Sequence, residues 1–299
     1  MKRFDMAFSM GFSCGGTMAL RRAGMQFVSY PLDWIGSPGI VASAKMIAAD
    51  FAGWFEKDDL QLVAVRGGSF QNNVYQNRKT RFGFPHDFPR FFRFEEKYPE
   101  TAEKYARRIR RFMSDLAAAK TALVVYIERP INPRASDADL AEARRILEAK
   151  FPAVKFELVY FFPDEGRKGF AETAVADGIT AVACDYVQYD HGEKSHAIVA
   201  DVPAAYFRGR FEVPDRRSEE EKAAYAAGKK TDRRKRFGGK LNEIKYRIYR
   251  RLEKELQEKG LNDSIIHVDF MIGTEDLDIT AKTRDGKTVK IFEKGNWAF

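Results

Sequence analysis

Cys14 stands in Gly11-Phe12-Ser13-Cys14-Gly15-Gly16, after the apolar run Phe4 to Met10 and before the helix-like run Thr17 to Arg22. A strand that passes through a glycine-flanked turn into a helix leaves several backbone N–H groups without intrahelical partners. The helix dipole adds partial positive charge at the same place. Both favour the thiolate, which is the nucleophilic form of cysteine. Cys14 is therefore a candidate nucleophile for acyl transfer. The N–H groups of Gly15 and Gly16 are placed to hold an oxyanion, with Gly11 and Ser13 shaping the same turn around a substrate. The competing reading is a small buried residue that lets strand and helix approach closely, since cysteine is among the most buried residue types.

A thiolate nucleophile needs a base that titrates near neutral pH, which points to histidine. The chain has four. His86 lies in Phe84-Pro85-His86-Asp87-Phe88-Pro89, where flanking prolines stiffen the backbone. Asp87 is a candidate catalytic acid, although neighbouring side chains on an extended segment point to opposite faces. His191 and His196 follow a late strand, and Glu193-x-x-His196 is similar to the acid-x-x-His element of SGNH-type esterases. His267 alternates with Asp269 and reads as structural. Asp33, in Tyr30-Pro31-Leu32-Asp33-Trp34, is a second acid able to orient a histidine. Tyr30, Trp34 and Phe88 are candidate walls of a substrate pocket; the alternative for the pentapeptide is a tight turn whose tryptophan plugs the core. Arg107 and Arg108, in the basic stretch 107–111, are candidates for holding an anionic substrate group, against the alternative of a solvated helix face.

Elements of alternating type must position these residues. Phe4 to Met10, Ala122 to Ile127, Phe156 to Phe162 and Thr180 to Val187 read as buried strands. Lys104 to Leu116 places Tyr105, Ile109, Phe112, Met113 and Leu116 on one helical face. Ser136 to Lys150 opens on an N-cap signature and turns Leu140, Ala143, Ile146 and Leu147 inward. Strands alternating with amphipathic helices predict an α/β fold: a three-layer α/β/α arrangement on a mainly parallel sheet, Rossmann-like or SGNH-like. Gly53 to Phe94 has little helical period and reads as a long irregular insertion over the carboxyl ends of the strands. Residues 1–205 form the expected core domain. Residues 206–299 form a basic extension with a helix over Ser218 to Ala227, a charge run from Lys229 to Arg236, a helix over Leu241 to Lys259 and strands around a turn at Asp285-Gly286.

Composition narrows the function classes. Hydrophobic residues make up 44% and charged residues 31% of the 299, which calls for a packed core and excludes a disordered chain. Two cysteines exclude a disulfide framework, and no cluster has metal-ligand spacing. There is neither a Gly-rich phosphate loop ending in Lys-Ser/Thr nor a G-x-G-x-x-G fingerprint, so no cofactor and no metal are expected. Low cysteine content points to a reducing cytoplasm. Met1-Lys2-Arg3 and the apolar run after it superficially resemble a signal peptide, but Asp5 interrupts the run and it reads as a first strand. No apolar stretch approaches the roughly 20 residues that span a bilayer. The net charge of +8 is compatible with an anionic ligand. A small molecule, a glycan or a peptide remain open as substrate classes, as does the oligomeric state.

Four ordered motifs carry a family resemblance. Phe8-Ser9-Met10-Gly11-Phe12-Ser13-Cys14, Leu20-Arg21-Arg22-Ala23-Gly24-Met25, Tyr30-Pro31-Leu32-Asp33-Trp34 and His86-Asp87-Phe88 resemble a bacterial family described as putative papain-like cysteine peptidases, with Arg107 to Phe112 as a further match. The resemblance covers roughly residues 5 to 190, with Leu32 where the family often has phenylalanine. It implies Cys14 as nucleophile, His86 as base and, as an alternative fold, the papain-like α+β arrangement. Papain-like enzymes usually separate the two residues by more than 100 positions, against 72 here. The strand-turn-helix opening also resembles SGNH-type hydrolases. Two other readings stay open: a transferase or esterase acting on an anionic cell-surface glycan or its nucleotide-linked precursor, and a module that binds a polyanion or partner without catalysis.

Overall fold

The computed structural model describes residues 1–11, 14–66, 72–89, 92–128, 133–190, 193–198 and 200–224, then 258, 260, 265–270, 277–282 and 288–293. The elements in chain order are β1 (Lys2–Arg3), β2 (Met6–Ser9), α1 (Gly15–Arg22), α2 (Ile40–Ala48), β3 (Leu60–Arg66), β4 (Asn72–Asn77), β5 (Gly83–Pro89), α3 (Phe94–Ala118), β6 (Thr121–Ile127) and α4 (Asp137–Lys150). They continue with β7 (Lys155–Pro163), β8 (Ala171–Ala176), β9 (Ile179–Cys184), β10 (Val187–Asp190), β11 (Glu193–Ile198), α5 (Asp201–Phe207), β12 (Phe211–Glu212), β13 (Ile265–Phe270), β14 (Leu277–Lys282) and β15 (Thr288–Glu293). They fall into two compact units. The first comprises residues 1–60, 77–84 and 102–216, the second residues 61–76, 85–101 and 217–299.

The first unit is a mixed α/β structure built on a mostly parallel sheet of order β2-β6-β7-β9-β8. β2, β6, β7 and β9 run parallel, and β8 closes one edge antiparallel. β6, Thr-Ala-Leu-Val-Val-Tyr-Ile, is apolar on both faces, as a parallel strand covered on both sides must be. Ala7, Leu123, Val125, Ile127, Val159 and Phe161 share one core with Ala19 and Leu20 of α1 and Ala204 and Phe207 of α5. On the opposite face Phe8 meets Phe112 of α3 edge-on at 5.0 Å. The N-cap signature at Ser136 forms as the sequence predicts. Ser136 Oγ accepts the Asp139 N–H at 3.2 Å and Asp139 accepts the Ser136 N–H at 3.0 Å.

Three details differ from the expectation. The strand expected over Thr180 to Val187 stops at Cys184, and Val187 already begins β10. β8 was not anticipated, because Ala-Glu-Thr-Ala-Val-Ala is largely exposed and lacks an apolar run. The two-residue Asp177-Gly178 connection, with Gly178 at φ +66°, is the hairpin signal that marks it. The segment 53–94 is not irregular: it holds β3, β4 and β5 in one sheet in that order. Its prolines disguise a strand. Gly83 exchanges backbone hydrogen bonds with Gly36 at 2.7 and 2.8 Å, so its polar groups point away from β4. Pro85 and Pro89 share that parity, and their missing N–H groups face the outer edge, where the ladder needs none.

Asn77 builds the turn between β4 and β5. Its Oδ1 accepts the N–H groups of Lys79 and Thr80, both at 2.9 Å. Its Nδ2 donates to the carbonyls of Gly53 and Trp54 at 2.9 and 3.1 Å. In the second unit, Tyr75, Phe88 and Phe94 form one ring cluster with centroids 4.6 to 5.2 Å apart. Ser218 caps the helical residues 219–224 through a reciprocal pair with Glu221. β13, β14 and β15 form an antiparallel sheet, and β14 and β15 flank the expected turn at Asp285-Gly286. That turn, the run 229–236 and nearly all of 241–259 lie outside the described residues.

Candidate functional site

Cys14 is the N-cap residue of α1, at φ −67° and ψ −7°, and is half-buried. Its carbonyl accepts the Met18 N–H at 2.9 Å, so the helix begins at this residue. Gly11 lies at φ +87°, which a non-glycine residue rarely adopts, and lets the chain turn out of β2. Gly16 serves close approach: a Cβ there would collide with Ser9 Oγ and stand 3.0 Å from Ser9 Cβ. Gly15 and Gly16 are both buried. Ser9 is itself buried and accepts the Gly11 N–H at 3.2 Å, tying the turn back to the strand. Ser13 lies outside the described residues.

The other end of α1 explains the second motif. Gly24, at φ +72°, closes the helix: its N–H donates to Arg21 O at 3.1 Å and Met25 N–H donates to Leu20 O at 2.9 Å. This is the Schellman arrangement, completed by Leu20 and Met25 in one apolar cluster. The chain then returns along the helix to the pentapeptide, which forms a short 3-10 turn over Pro31–Trp34. Asp33 is fully buried there. Its Oδ1 accepts from Thr17 Oγ1 at 2.8 Å and Gln26 Nε2 at 3.0 Å, and its Oδ2 accepts from Gln26 Nε2 at 2.9 Å and the Tyr30 N–H at 2.7 Å. Burial raises its pKa above the ordinary carboxylate value in spite of those donors. Arg21 adds a second clasp, donating to Ser29 Oγ at 2.7 Å with its guanidinium 5.4 Å from the Trp34 ring centre.

Tyr30 is buried, edge-on to Phe112 at 5.3 Å, with its hydroxyl donating to Asp115 at 2.8 Å. Burial, followed by Asp115, raises its pKa. Trp34 is half-buried. Thr17 and Gln26 support the site and escaped the sequence reading, because nothing in their local spacing distinguishes them from ordinary core polar residues, whereas Ser9 is part of the first motif but carried no assigned role. Cys184 is fully buried on β9, where burial pushes its thiol up to about 12.

The remaining candidates are distributed as follows. His86 and Asp87 are half-buried residues of β5 in the second unit, on opposite faces of the strand by alternation, with Phe88 buried beside Tyr75. Arg107 is exposed on α3 and paired with Glu103 at 2.7 Å, while the Arg108 guanidinium stands 5.7 Å from the Tyr105 ring centre. His196 falls on β11 and His267 on β13, while His191 lies outside the described residues. Among the described residues no three His, Cys, Asp or Glu side chains are grouped so as to hold a metal ion. No helix among them is long and apolar enough to cross a membrane.

Comparison with known proteins divides the chain. A family model described as putative papain-like cysteine peptidase matches residues 5–166, more than half of the sequence. A second model, of thermophilic metalloproteases, matches residues 249–297. An uncharacterized protein of Acanthamoeba polyphaga mimivirus is 28% identical over 147 residues, covering 44% of this chain and 65% of that protein. Aminopeptidase 2 of Geobacillus stearothermophilus is 57% identical over 47 residues, and the aminopeptidase AmpS of Bacillus subtilis is 59% identical over 46. These matches cover 16% and 15% of this chain and 11% of each aminopeptidase, so the chain spans about a tenth of their length. No solved structure matches the chain at a significant level.

Proposed function

We propose, from the premise that this chain belongs to the family described as putative papain-like cysteine peptidases, that it is a cysteine-dependent hydrolase acting on a peptide or related acyl substrate. Cys14 at the start of α1, directly beyond the parallel strand β2, is the observation that carries this reading. The Cys14 sulfur attacks the substrate carbonyl carbon, and the thiol proton passes to a histidine. The carbonyl oxygen, negative in the tetrahedral intermediate, is held by N–H groups at the helix start. When the C–N or C–O bond breaks, the histidine returns its proton to the leaving group. Water then attacks the thioester and regenerates the thiol. His86 is assigned as the base from the motif His86-Asp87-Phe88, while Asp87 turns to the opposite face of β5 by alternation. Asp33 acts through structure, fixing the Tyr30–Trp34 turn against α1.

The placement of α1 and α5 against one sheet face, and of α3 on the other, supports a three-layer arrangement of the SGNH or Rossmann kind over a papain-like one. Residues 1–205 would then carry the chemistry and residues 206–299 an accessory role. A cytoplasmic setting fits the two cysteines.

Alkylation with iodoacetamide tests the nucleophile. Cys14 should react far faster than Cys184, with a pH midpoint below that of an ordinary thiol. Equal, slow modification of both cysteines would remove the basis of this assignment.

A further inference from the structure

β8 is the last strand of the five-stranded sheet and is paired with β9 alone. Among the described residues no other element bonds to the backbone of residues 171–176. Its outer row of N–H and C=O groups therefore stands open. Such an edge is a template for another strand, and proteins guard it with lysine, proline, an inward-pointing charge or a covering helix or loop. β8 reads Ala-Glu-Thr-Ala-Val-Ala and has neither lysine nor proline. Its single charge, Glu172, is already paired with Arg210 at 2.8 Å. Thr173 and Ala174 project to opposite faces and both are exposed, so the strand is open on either side. The one guard present is a slip of register at Val175, which spares residues 171–174.

Symmetry and charge name the occupant. Identical strands that pair edge to edge about a two-fold axis run antiparallel, and opposite residues project to the same face. One residue must then face its own copy. With Glu172 at the axis, two carboxylates would lie opposite each other, which is destabilising. With Ala174 there, the irregular Val175 would fall opposite Thr173. With Thr173 at the axis, the two threonines meet and Glu172 faces Ala174 of the second copy, so like charges stay apart. The same register carries Asp177, just beyond one end of the strand, towards the other end of the second copy, where Lys168 stands. Lys168 and Asp177 are both exposed, and neither pairs with an opposite charge among the described residues.

We infer that β8 is a self-association edge, which pairs antiparallel with β8 of a second copy of this chain about a two-fold axis at Thr173 and joins the two five-stranded sheets into one. The contact closes on itself, because the pairing uses up both edges. Two six-residue strands bury well under the roughly 1,200 Å² of a stable interface. The dimer is therefore weak, with a dissociation constant on the order of 100 μM. The pairing is independent of the role of Cys14.

Analytical ultracentrifugation of the full chain tests it, over concentrations from about 5 to 500 μM. The wild type should pass from monomer to dimer across that range. Thr173→Lys sets two ammonium groups together at the axis and should raise the dissociation constant at least about tenfold. Asp177→Asn keeps a residue that suits the hairpin turn, removes the charge that meets Lys168, and should raise the constant about threefold. Should Thr173→Lys fail to fold, Asp177→Asn decides in its place. A wild type that stays monomeric throughout overturns the pairing and leaves the edge to a strand of another protein. A dimer as tight in both variants as in the wild type overturns it as well, since another surface then makes the contact.

Discussion

Thr17 and Asp33 meet across the turn that follows α1, the threonine hydroxyl donating to the Asp33 carboxylate at 2.8 Å. Thr17 is the third residue of the helix that Cys14 begins, and Asp33 is the third residue of the Pro31–Trp34 turn. One hydrogen bond thereby joins the candidate nucleophile's helix to the Tyr-Pro-Leu-Asp-Trp motif. Gln26 and the Tyr30 N–H complete the shell around the same carboxylate.

Removing that carboxylate leaves the Thr17, Gln26 and Tyr30 donors buried without an acceptor. Each orphaned buried donor costs on the order of 1–3 kcal/mol, so Asp33→Ala should destabilise the fold by about 2–4 kcal/mol once relaxation is allowed for. Urea denaturation should show the midpoint fall with an unchanged slope. A variant as stable as the wild type would show that the shell does not hold the turn.

The pH dependence of stability should carry opposite contributions from two aspartates. Burial raises the folded-state pKa of Asp33. Its contribution is therefore full below the unfolded value of about 3.9 and is lost as pH rises through the folded pKa. Asp5 runs the other way. The backbone N–H of Lys120 is the largest influence and holds its pKa low, with Thr121 and Arg216 assisting. Its contribution is present above about 3.9 and lost as pH falls through the folded pKa. Asp33→Asn should make stability relative to wild type improve as pH rises from about 4, and Asp5→Asn should make it worsen as pH rises towards about 4 from below. Denaturation midpoints measured on both sides of about pH 4 check both signs.

Gly16→Ala should be costly although alanine is the better helix former. The added methyl has no room beside Ser9, and overpacking of a tight contact costs about 1–3 kcal/mol. Because the strain falls two residues from Cys14, alkylation of Cys14 should slow together with the loss of stability. Wild-type stability and labelling in Gly16→Ala would show that helix and strand can separate freely.

Asn77→Ala should open the β4–β5 turn. Four hydrogen bonds are lost at once, and both the Lys79 and Thr80 N–H groups lose their acceptor. A destabilisation of about 2–4 kcal/mol is expected, with amide exchange accelerating first at residues 78–82. Exchange that is uniform along the chain would argue against a local opening.

His86→Ala should lower kcat by roughly 10²–10⁴-fold if His86 moves the proton in the hydrolysis. It should also slow Cys14 alkylation near neutral pH. The same pair of effects from His196→Ala, with His86→Ala silent, would move the role to His196.

Much of the first unit was determined by the sequence alone. The apolar runs of β2, β6 and β7 read as buried strands, their alternation with amphipathic helices points to a mainly parallel sheet, and Ser136-x-x-Asp139 starts a helix through contacts within four residues. Such signals are local, so they survive without knowledge of the fold. The tertiary structure alone decided what the motif residues touch. Asp33 owes its environment to Thr17, sixteen residues away in α1, and Tyr30 gives its hydroxyl to Asp115, eighty-five residues on. Pro85 and Pro89 argue against a strand until Gly36 shows which edge their missing donors face. Gly16 looks like an exposed backbone donor in sequence, while in the structure its lack of a side chain is what admits Ser9. Spacing records periodicity along the chain, whereas a buried carboxylate, an edge strand and a close contact are set by what the rest of the chain brings alongside.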